Sequence, residues 1–206
     1  MRNSGRQRGQ SEERGKGFGK QKRRTYPHEG ATAYHRLYSW RMYANRDEKT
    51  LIGAGGKSGM LCCYEAKKRV GVTGKVIGMC HSQKSTERLQ KLGFCDHVFA
   101  GNATDPVAMI EIIEKLTNGQ MADVTINNVN VPDTEMTSIL CTKNDGLVYF
   151  FSMATSFTKA ALGAEGVGSD VTMIVGNGYT KGHAEITLQE LRECPELRKI
   201  FEELYA

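Results

Sequence analysis

GAGGKSGM, residues 53–60, is a glycine-rich turn between a short apolar run and an amphipathic segment. Glycines in such a turn adopt backbone angles that side chains forbid, let backbone N–H groups approach an anion, and permit close packing of a helix on a strand. A phosphate bound there lies at the positive end of the helix dipole. The stretch predicts a strand, a tight turn and a helix, and makes nucleotide binding the first hypothesis. The predicted binding residues are Gly53, Gly55, Gly56, Lys57, Ser58, Gly59 and Met60.

The spacing of these glycines departs by one residue from the usual G-x-G-x-x-G pattern. Counted from Gly53, the sixth residue is Ser58, and the glycine follows at position 59. The end of the turn also imitates a P-loop, G-x-x-x-x-G-K-[ST], but the first glycine of that motif would fall on Leu51. A kinase or NTPase is therefore disfavoured. A strand-to-helix turn without a ligand stays open as the alternative to dinucleotide binding.

Helix and strand signals alternate along the rest of the chain, which is typical of a parallel sheet covered on both faces. We predict an α/β protein with a Rossmann-type doubly wound parallel sheet of about six strands. A proline at position 195 divides the apolar stripes near the C-terminus into two short helices. The predicted strands are 50–52, 75–80, 97–100, 122–127, 146–151 and 171–175, and the predicted helices before the last two are 60–69, 85–92, 106–117 and 134–140.

Small and polar residues follow these strands, at the edge where doubly wound sheets bind their ligands. In such folds an Asp or Glu about 20 residues beyond the glycine turn binds the adenosine ribose. In this chain the residues there are Cys80, His81 and Ser82. The missing carboxylate removes a repulsion against a 2′-phosphate, so NAD and NADP both stay open. The other predicted cofactor-binding residues are Asn128, Val129, Asn130, Ser152, Met153, Ala154, Gly176 and Asn177.

The first 25 residues are strongly basic, with a net charge of +7 against +5 for the whole chain. They hold five glycines and a single aromatic residue, Phe18, so they offer little surface to bury. We predict a disordered or irregular basic extension over residues 1–46 and a dinucleotide-binding domain over residues 47–206. The extension either binds nucleic acid or is an addition unrelated to the function of the domain. We favour the second alternative, because the extension lacks the repeated aromatic–basic units of RNA-binding segments.

The cysteine pattern and the hydropathy narrow the class of protein further. Six cysteines occur without a C-x-x-C pair or a histidine at zinc-ligand spacing, so we predict reduced thiols and no metal site. No run approaches the ~18 apolar residues of a membrane span, and the N-terminus lacks the apolar core of a signal peptide. The sequence predicts a soluble, cytoplasmic protein.

Four longer strings resemble one enzyme family. They are GAGGKSGMLCCYEAKKRVG (53–71), ADVTINNVNVPDTEM (122–136), VYFFSMATSFTKAALGAEGVG (148–168) and VTMIVGNGYTKGHAE (171–185). They are similar to the C-terminal half of the L-erythro-3,5-diaminohexanoate dehydrogenases of bacterial lysine fermentation, which are related to the medium-chain dehydrogenases. The resemblance implies NAD(P)-dependent oxidation at the amine-bearing carbon 3 of 3,5-diaminohexanoate, giving 5-amino-3-oxohexanoate and ammonia.

The resemblance also suggests candidates for substrate contacts. Glu135 and Glu165 are candidate ammonium partners, and Tyr179, Lys181 and His183 are candidates for proton transfer or substrate orientation. Each also has an ordinary role as a loop or helix residue, so no catalytic residue is assigned. Related enzymes dimerise through the cofactor domain, which makes a homodimer possible.

The chain departs from its relatives at the N-terminus. Medium-chain dehydrogenases carry a catalytic domain before the cofactor domain, whereas about fifty unrelated-looking residues precede the glycine turn here. We therefore expect a truncated copy that retains the cofactor domain. The alternative is a non-catalytic nucleotide-binding fragment whose basic tail binds nucleic acid.

Overall fold

The computed structural model describes residues 48–176 and 182–205. The extension predicted over residues 1–46 lies outside these ranges. The strands are β1 (Glu48–Ile52), β2 (Lys75–Cys80), β3 (His97–Ala100), β4 (Ala122–Asn127), β5 (Thr142–Phe150) and β6 (Thr172–Val175). The helices are α1 (Lys57–Arg69), α2 (Gln83–Leu92), α3 (Pro106–Leu116), α4 (Glu135–Leu140), α5 (Phe157–Gly166), α6 (His183–Glu193) and α7 (Pro195–Tyr205).

The strands form one parallel sheet in the order β3-β2-β1-β4-β5-β6. The strand order reverses between β1 and β4, where Ile52 is in register with Asn127. Ligands of doubly wound sheets bind beyond the carboxyl ends of the strands at such a reversal. The Rossmann-type prediction is thus confirmed, and the switch point lies directly after β1.

Helices cover both faces of the sheet. On one face, Met60 of α1, Leu89 of α2 and Leu197 of α7 share a core cluster with side chains of β1, β2, β4 and β5. On the other face, α3 packs with Met109 and Ile113 in one cluster, while α4 and α5 pack against β5 in another. None of the helices within residues 48–176 and 182–205 has both the length and the apolar character needed to cross a bilayer.

Strand β1 is longer than its sequence predicts. The predicted strand begins at position 50, yet the charged residues Glu48 and Lys49 also belong to it, and Lys49 is only 2% exposed. The Glu48 N–H donates to Asp123 Oδ2 at 2.7 Å, and the Glu48 carboxylate lies 3.6 Å from Lys75 Nζ. Because β1 is central, β2 and β4 hold it from both sides, and tertiary pairing overrides the low strand preference of these charged residues.

The turn after β1 depends on the absence of a side chain at Gly59. A Cβ atom there would lie 2.2 Å from the Gly53 carbonyl oxygen and 2.6 Å from the Ala54 Cα. Both neighbours are backbone atoms that cannot rotate away. The first turn of α1 can therefore approach the end of β1 this closely only with glycine at position 59.

We predict that Gly59→Ala lowers the free energy of unfolding by about 2 kcal/mol or more, because the added methyl group forces backbone apart in a packed core. Urea denaturation followed by circular dichroism measures the change. Gly166→Ala is the matched control, since a Cβ at that helix end meets nothing within 4 Å. Equal unfolding free energies for Gly59→Ala and the unmodified protein would contradict the close approach.

Candidate functional site

The glycine turn links β1 to α1 and leaves the helix N-terminus open. Gly53 has a φ of +78°, the Ala54 N–H donates to the Met79 carbonyl at 2.9 Å, and the Gly56 N–H donates to the Gly53 carbonyl at 3.2 Å. Gly56 is the N-cap of α1, and no side chain caps the helix there. Since the first N–H groups of a helix have no helical acceptor, this end of α1 is suited to an anion.

The loop after β4 and helix α2 pack closely against the turn, at Gly53 and Gly55 respectively. A Cβ on Gly53 would lie 2.8 Å from Val129 Cγ2, and one on Gly55 would lie 2.8 Å from Ser85 Cβ. Gly56 is different, because its nearest contact would be the Gly53 oxygen at 3.6 Å. The turn is thus fitted closely to the loop after β4 and to α2, whereas position 56 has room for a side chain.

Helix α1 begins at Lys57, three residues before the predicted start. Lys57 is exposed, and its Nζ lies 4.6 Å from the centre of the Tyr205 ring on α7. Ser58 is partly exposed, whereas Gly59 and Met60 are buried. Of the residues predicted to bind phosphate, Gly56, Lys57 and Ser58 therefore keep exposed atoms at the helix end, and Gly59 and Met60 serve its packing.

The predicted ribose site at the end of β2 carries no acidic residue. Cys80 is buried, and burial raises the pKa of its thiol. His81 and Ser82 are exposed. Ser82 caps α2, because its Oγ accepts the Ser85 N–H at 3.3 Å and the Ser85 Oγ bonds back to the Ser82 backbone. Its hydroxyl is consequently already engaged, and His81 is the freer polar side chain at this edge.

A cavity of about 260 Å³ opens beside the turn, between the carboxyl ends of β2, β3 and β4. Its walls are mainly apolar, and Asn102 and Thr104 add polar groups, with the Thr104 N–H and hydroxyl both donating to Asn102 Oδ1. The structure brings three predicted residues together here, Gly53, His81 and Val129. The lining residues are Gly53, Met79, His81, Gly101, Asn102, Ala103, Thr104, Val129 and Val131.

Asn127, which the sequence reasoning missed, orders the loop after β4. Its side chain is fully buried, with Nδ2 donating to Thr134 Oγ1 and Ser138 Oγ at 2.9 Å each. Its Oδ1 accepts the Val129 N–H at 2.9 Å. An amide as the last residue of a fully buried strand is the sequence signal that points to such a role. Through Val129, Asn127 holds one wall of the cavity.

Two buried polar atoms near the strand ends have no hydrogen-bond partner among the described residues. They are Asn128 Nδ2 and Thr155 Oγ1. The Asn128 Oδ1 accepts the Cys62 thiol at a sulfur–oxygen distance of 3.9 Å, which leaves the amide nitrogen unused. An unpaired buried donor costs about 1–3 kcal/mol, so a hydrogen-bond partner for either atom would stabilise the folded state.

The remaining predicted cofactor residues lie at the same edge with different exposure. Ser152 is buried, and its Oγ accepts the Ala154 N–H at 3.0 Å. Met153 is 83% exposed, and Asn130 is also exposed. The Gly176 carbonyl accepts the Tyr149 hydroxyl at 2.6 Å. The predictions for Asn177, Tyr179 and Lys181 lie outside the described residues.

The candidate ammonium partners lie on different elements. Glu135 is buried in α4, where its Oε1 accepts the Ser156 N–H at 2.6 Å, so one oxygen already holds the loop after β5. Glu165 is exposed on α5. His183 begins α6, a helix that packs against the opposite face of the sheet. Their proposed substrate contacts stay predictions.

A buried acid lies where α6 packs on α1. Glu190 is 1% exposed, and neither carboxylate oxygen has a hydrogen-bond partner among the described residues. Burial, and then the charge of Glu65, raises the pKa of Glu190 to about 8. Burial likewise raises the pKa of the nearby Cys62 thiol to about 12. With a pKa of about 8, Glu190 is mainly protonated at neutral pH.

Residues 59–181 match the zinc-binding dehydrogenase family, a span of more than half the chain that includes most of the sheet. The chain belongs to this family. Because members of the family are dehydrogenases, the assignment associates the chain with oxidoreductases.

Within that family, the chain is similar to L-erythro-3,5-diaminohexanoate dehydrogenases, as its sequence strings predict. It is 59% identical to the enzyme of Acetoanaerobium sticklandii over 159 residues, which is 77% of this chain and 46% of that protein. It is 55% identical to the Fusobacterium nucleatum enzyme over 155 residues, 75% of this chain and 45% of that protein. The chain thus spans about half the length of these relatives.

A solved structure shows the same fold at much lower identity. An alcohol dehydrogenase from Thermotoga maritima matches with a TM-score of 0.64 and 17% identity, over 82% of this chain and 46% of that chain. The zinc in the family's description has no counterpart in the part of the chain described here, since no three His, Cys, Asp or Glu side chains group there as ligands.

We predict that Glu190→Gln stabilises the protein in a pH-dependent way. Unfolding restores the ordinary pKa of 4.5, so between pH 4.5 and about 8 the unfolded state releases a proton that the folded state keeps. The free energy of unfolding of the unmodified protein consequently falls as the pH rises through this range. The glutamine variant has no group to titrate at this position, so its free energy of unfolding does not fall for this reason. We expect near-equal unfolding free energies at pH 5 and a gain on the order of 3 kcal/mol at pH 9.

Urea denaturation across this pH range measures the difference. Glu203→Gln is the control, because it neutralises an exposed carboxylate on α7. Its unfolding free energy should differ from that of the unmodified protein by the same small amount at every pH. A Glu190→Gln gain that does not change with pH would contradict the burial of a protonated acid.

Proposed function

We propose that the described domain binds a nicotinamide dinucleotide, NAD or NADP. The observation that carries the proposal is the uncapped N-terminus of α1 behind the glycine turn, next to a cavity at the reversal of strand order. Backbone N–H groups at this helix end meet the pyrophosphate, and the helix dipole favours its negative charge. Gly56, Lys57 and Ser58 provide this end of the helix, while Gly53, Gly55 and Gly59 allow the close approach.

The cavity is the proposed site of the adenosine. Met79, Val129 and Val131 supply apolar walls for a purine ring, and Asn102 and Thr104 supply polar groups. His81 is the exposed polar side chain where the ribose hydroxyls would lie. Since no carboxylate follows β2 directly, a 2′-phosphate meets no electrostatic repulsion there, and a ribose hydroxyl must bond to another acceptor.

The nicotinamide end is assigned to the edge after β4 and β5. The unpaired donor at Asn128 Nδ2 suits a carbonyl oxygen, and the loop with Ser152 and Ala154 forms the neighbouring edge. When bound, a nicotinamide ring supplies the hydride acceptor of a dehydrogenase. The protein's own part is to hold the ring by these polar groups and to keep Asn128 in place through the buried Asn127 network.

The likeness to the two dehydrogenases supports a proposal for the whole activity. We infer oxidative deamination of L-erythro-3,5-diaminohexanoate, a small molecule, to 5-amino-3-oxohexanoate and ammonia in lysine fermentation in the cytoplasm. Carbon 3 gives up a hydride while its amine, which must be neutral, gives up a proton, and water then replaces the nitrogen. The second, charged amine needs a negative partner in a closed site. A homodimer is part of the same proposal.

Gly56→Asp tests the anion site without disturbing the fold. Position 56 has extended backbone angles and room for a Cβ, and aspartate is a favourable N-cap that stabilises a helix. The same carboxylate occupies the place of the phosphate and repels it. We expect an unchanged or raised melting temperature together with at least about a tenfold loss of NAD⁺ and NADP⁺ affinity in calorimetric titration, equivalent to ~1.4 kcal/mol.

Gly56→Asn is the matched control for this experiment. It places a neutral side chain of the same shape at the N-cap, so it separates the charge from the volume of the substitution. The asparagine variant should retain more affinity than the aspartate variant. Equal affinities for both variants and the unmodified protein would show that the pyrophosphate does not bind at the end of α1. If the unmodified protein binds neither NAD⁺ nor NADP⁺, the proposed function is wrong.

We expect the chain to reduce NAD⁺ or NADP⁺ only when diaminohexanoate is present. The rate of reduction should rise with pH, because more of the substrate amine is then neutral. Absorbance of the reduced cofactor follows the reaction, and Gly56→Asp should lower the rate about fivefold or more at cofactor concentrations near the Kd of the unmodified protein. Cofactor binding without turnover would contradict the deamination proposal for this chain. It would favour a binding function instead.

A further inference from the structure

Arg88 of α2 reaches the glycine turn from the side. Its Nη2 donates to the Gly55 carbonyl oxygen at 2.7 Å, across 33 positions of sequence, and the contact is partly buried. Charged donors form the stronger class of hydrogen bonds. A long side chain from the neighbouring helix is therefore bonded directly to the backbone of the proposed pyrophosphate turn.

This bond completes the fixing of one peptide unit. The Gly55 carbonyl is held by Arg88, and the N–H of the same peptide, on Gly56, donates to the Gly53 carbonyl at 3.2 Å. With both polar groups engaged, the peptide plane between Gly55 and Gly56 cannot rotate freely. Gly56 is the N-cap of α1, so this plane sets the direction in which the chain enters the helix.

Helix α2 is itself held firmly against the turn. Ser82 and Ser85 form a reciprocal capping box at its start, and a Cβ on Gly55 would meet Ser85 Cβ at 2.8 Å. Ser85 lies three residues before Arg88, so both face the same side of the helix. The guanidinium therefore comes from a rigid support rather than from a loop.

A contribution to folding stability alone does not explain why an arginine occupies position 88. Its Nε–H is buried and has no hydrogen-bond partner among the described residues. An unpaired buried donor costs about 1–3 kcal/mol, which offsets much of what the bond to Gly55 contributes. An apolar side chain of similar length would fill the same space without that loss.

We propose that Arg88 is a positioning residue for the diphosphate. Its hydrogen bond to the Gly55 carbonyl holds the turn in the one orientation that presents the N-terminus of α1 to the ligand. Affinity for ligands with a diphosphate therefore depends on Arg88, although the guanidinium acts through the backbone. The inference rests on the proposed dinucleotide binding and names a residue outside the glycine motif.

Arg88→Met tests the proposal in the full chain, with ADP and adenosine as the probes. ADP carries the diphosphate that the turn receives, whereas adenosine occupies only the cavity. We expect the Kd for ADP to rise about tenfold, because the turn loses the orientation that Arg88 fixes, while the Kd for adenosine changes less than about twofold. NMR titration measures both constants, and the melting temperature should stay within about 2 °C.

Two further variants separate positioning from simple charge. Lys91→Met removes a positive charge from the exposed end of α2 and should leave both constants unchanged. Arg88→Lys keeps the charge but loses the planar fork, so it should restore only part of the ADP affinity. Full restoration by lysine would show attraction by charge and overturn positioning through Gly55.

The outcomes distinguish this inference from the function it rests on. If the unmodified protein binds ADP and Arg88→Met binds it equally well, the inference fails and dinucleotide binding stands. A parallel loss of ADP and adenosine affinity would mark a purely structural role and would also overturn it. Failure of the unmodified protein to bind ADP or NAD⁺ would overturn both.

Discussion

The close contact between the first turn of α1 and the end of β1 is the constraint on which the rest of the site depends. Position 59 lies so near the Gly53 carbonyl and the Ala54 backbone that no side chain fits. This contact brings the helix N-terminus to the edge of the sheet, beside the cavity. Without it, the open N–H groups of α1 would not face the space between the strand ends, and the polar edge after β4 would have no anion site next to it.

The parallel sheet turns that local contact into a site. Since β1 and β4 are neighbours and their helices lie on opposite faces, the loops after them separate and leave a crevice. The buried Asn127 amide orders one side of the crevice, and Arg88 holds the other side through Gly55. Both residues act on backbone, which explains how loops made largely of small residues keep a defined shape.

The sequence predicted much of this architecture. All six strands and the two C-terminal helices lie where their apolar patterns indicate, because amphipathic periodicity reports which face of an element is buried. The starts of β1 and β5 were missed. Residues 143–145 of β5 are polar and exposed, and Asp145 has a φ of +59°, so the segment looks like a turn although its start pairs with β4.

The site itself was predicted unevenly. The glycine turn lies where its local pattern places it, and three of the residues predicted to bind cofactor line the cavity, while their contacts to a cofactor stay a prediction. Arg88 and Glu190 carry no local signal that singles them out, and the signal of Asn127, an amide at the end of a buried strand, was missed. Arg88 meets Gly55 from 33 positions away, and Glu190 is buried only because α6 folds back on α1.

The order of apolar and glycine residues by itself determined the fold class and the location of the turn, since both follow from periodicity and from backbone angles that only glycine allows. Tertiary structure alone decided which polar groups are enclosed, which are paired and which are left without a partner. Burial and hydrogen bonding between distant segments depend on how helices pack across the sheet, and that packing is not encoded in any single stretch of the chain.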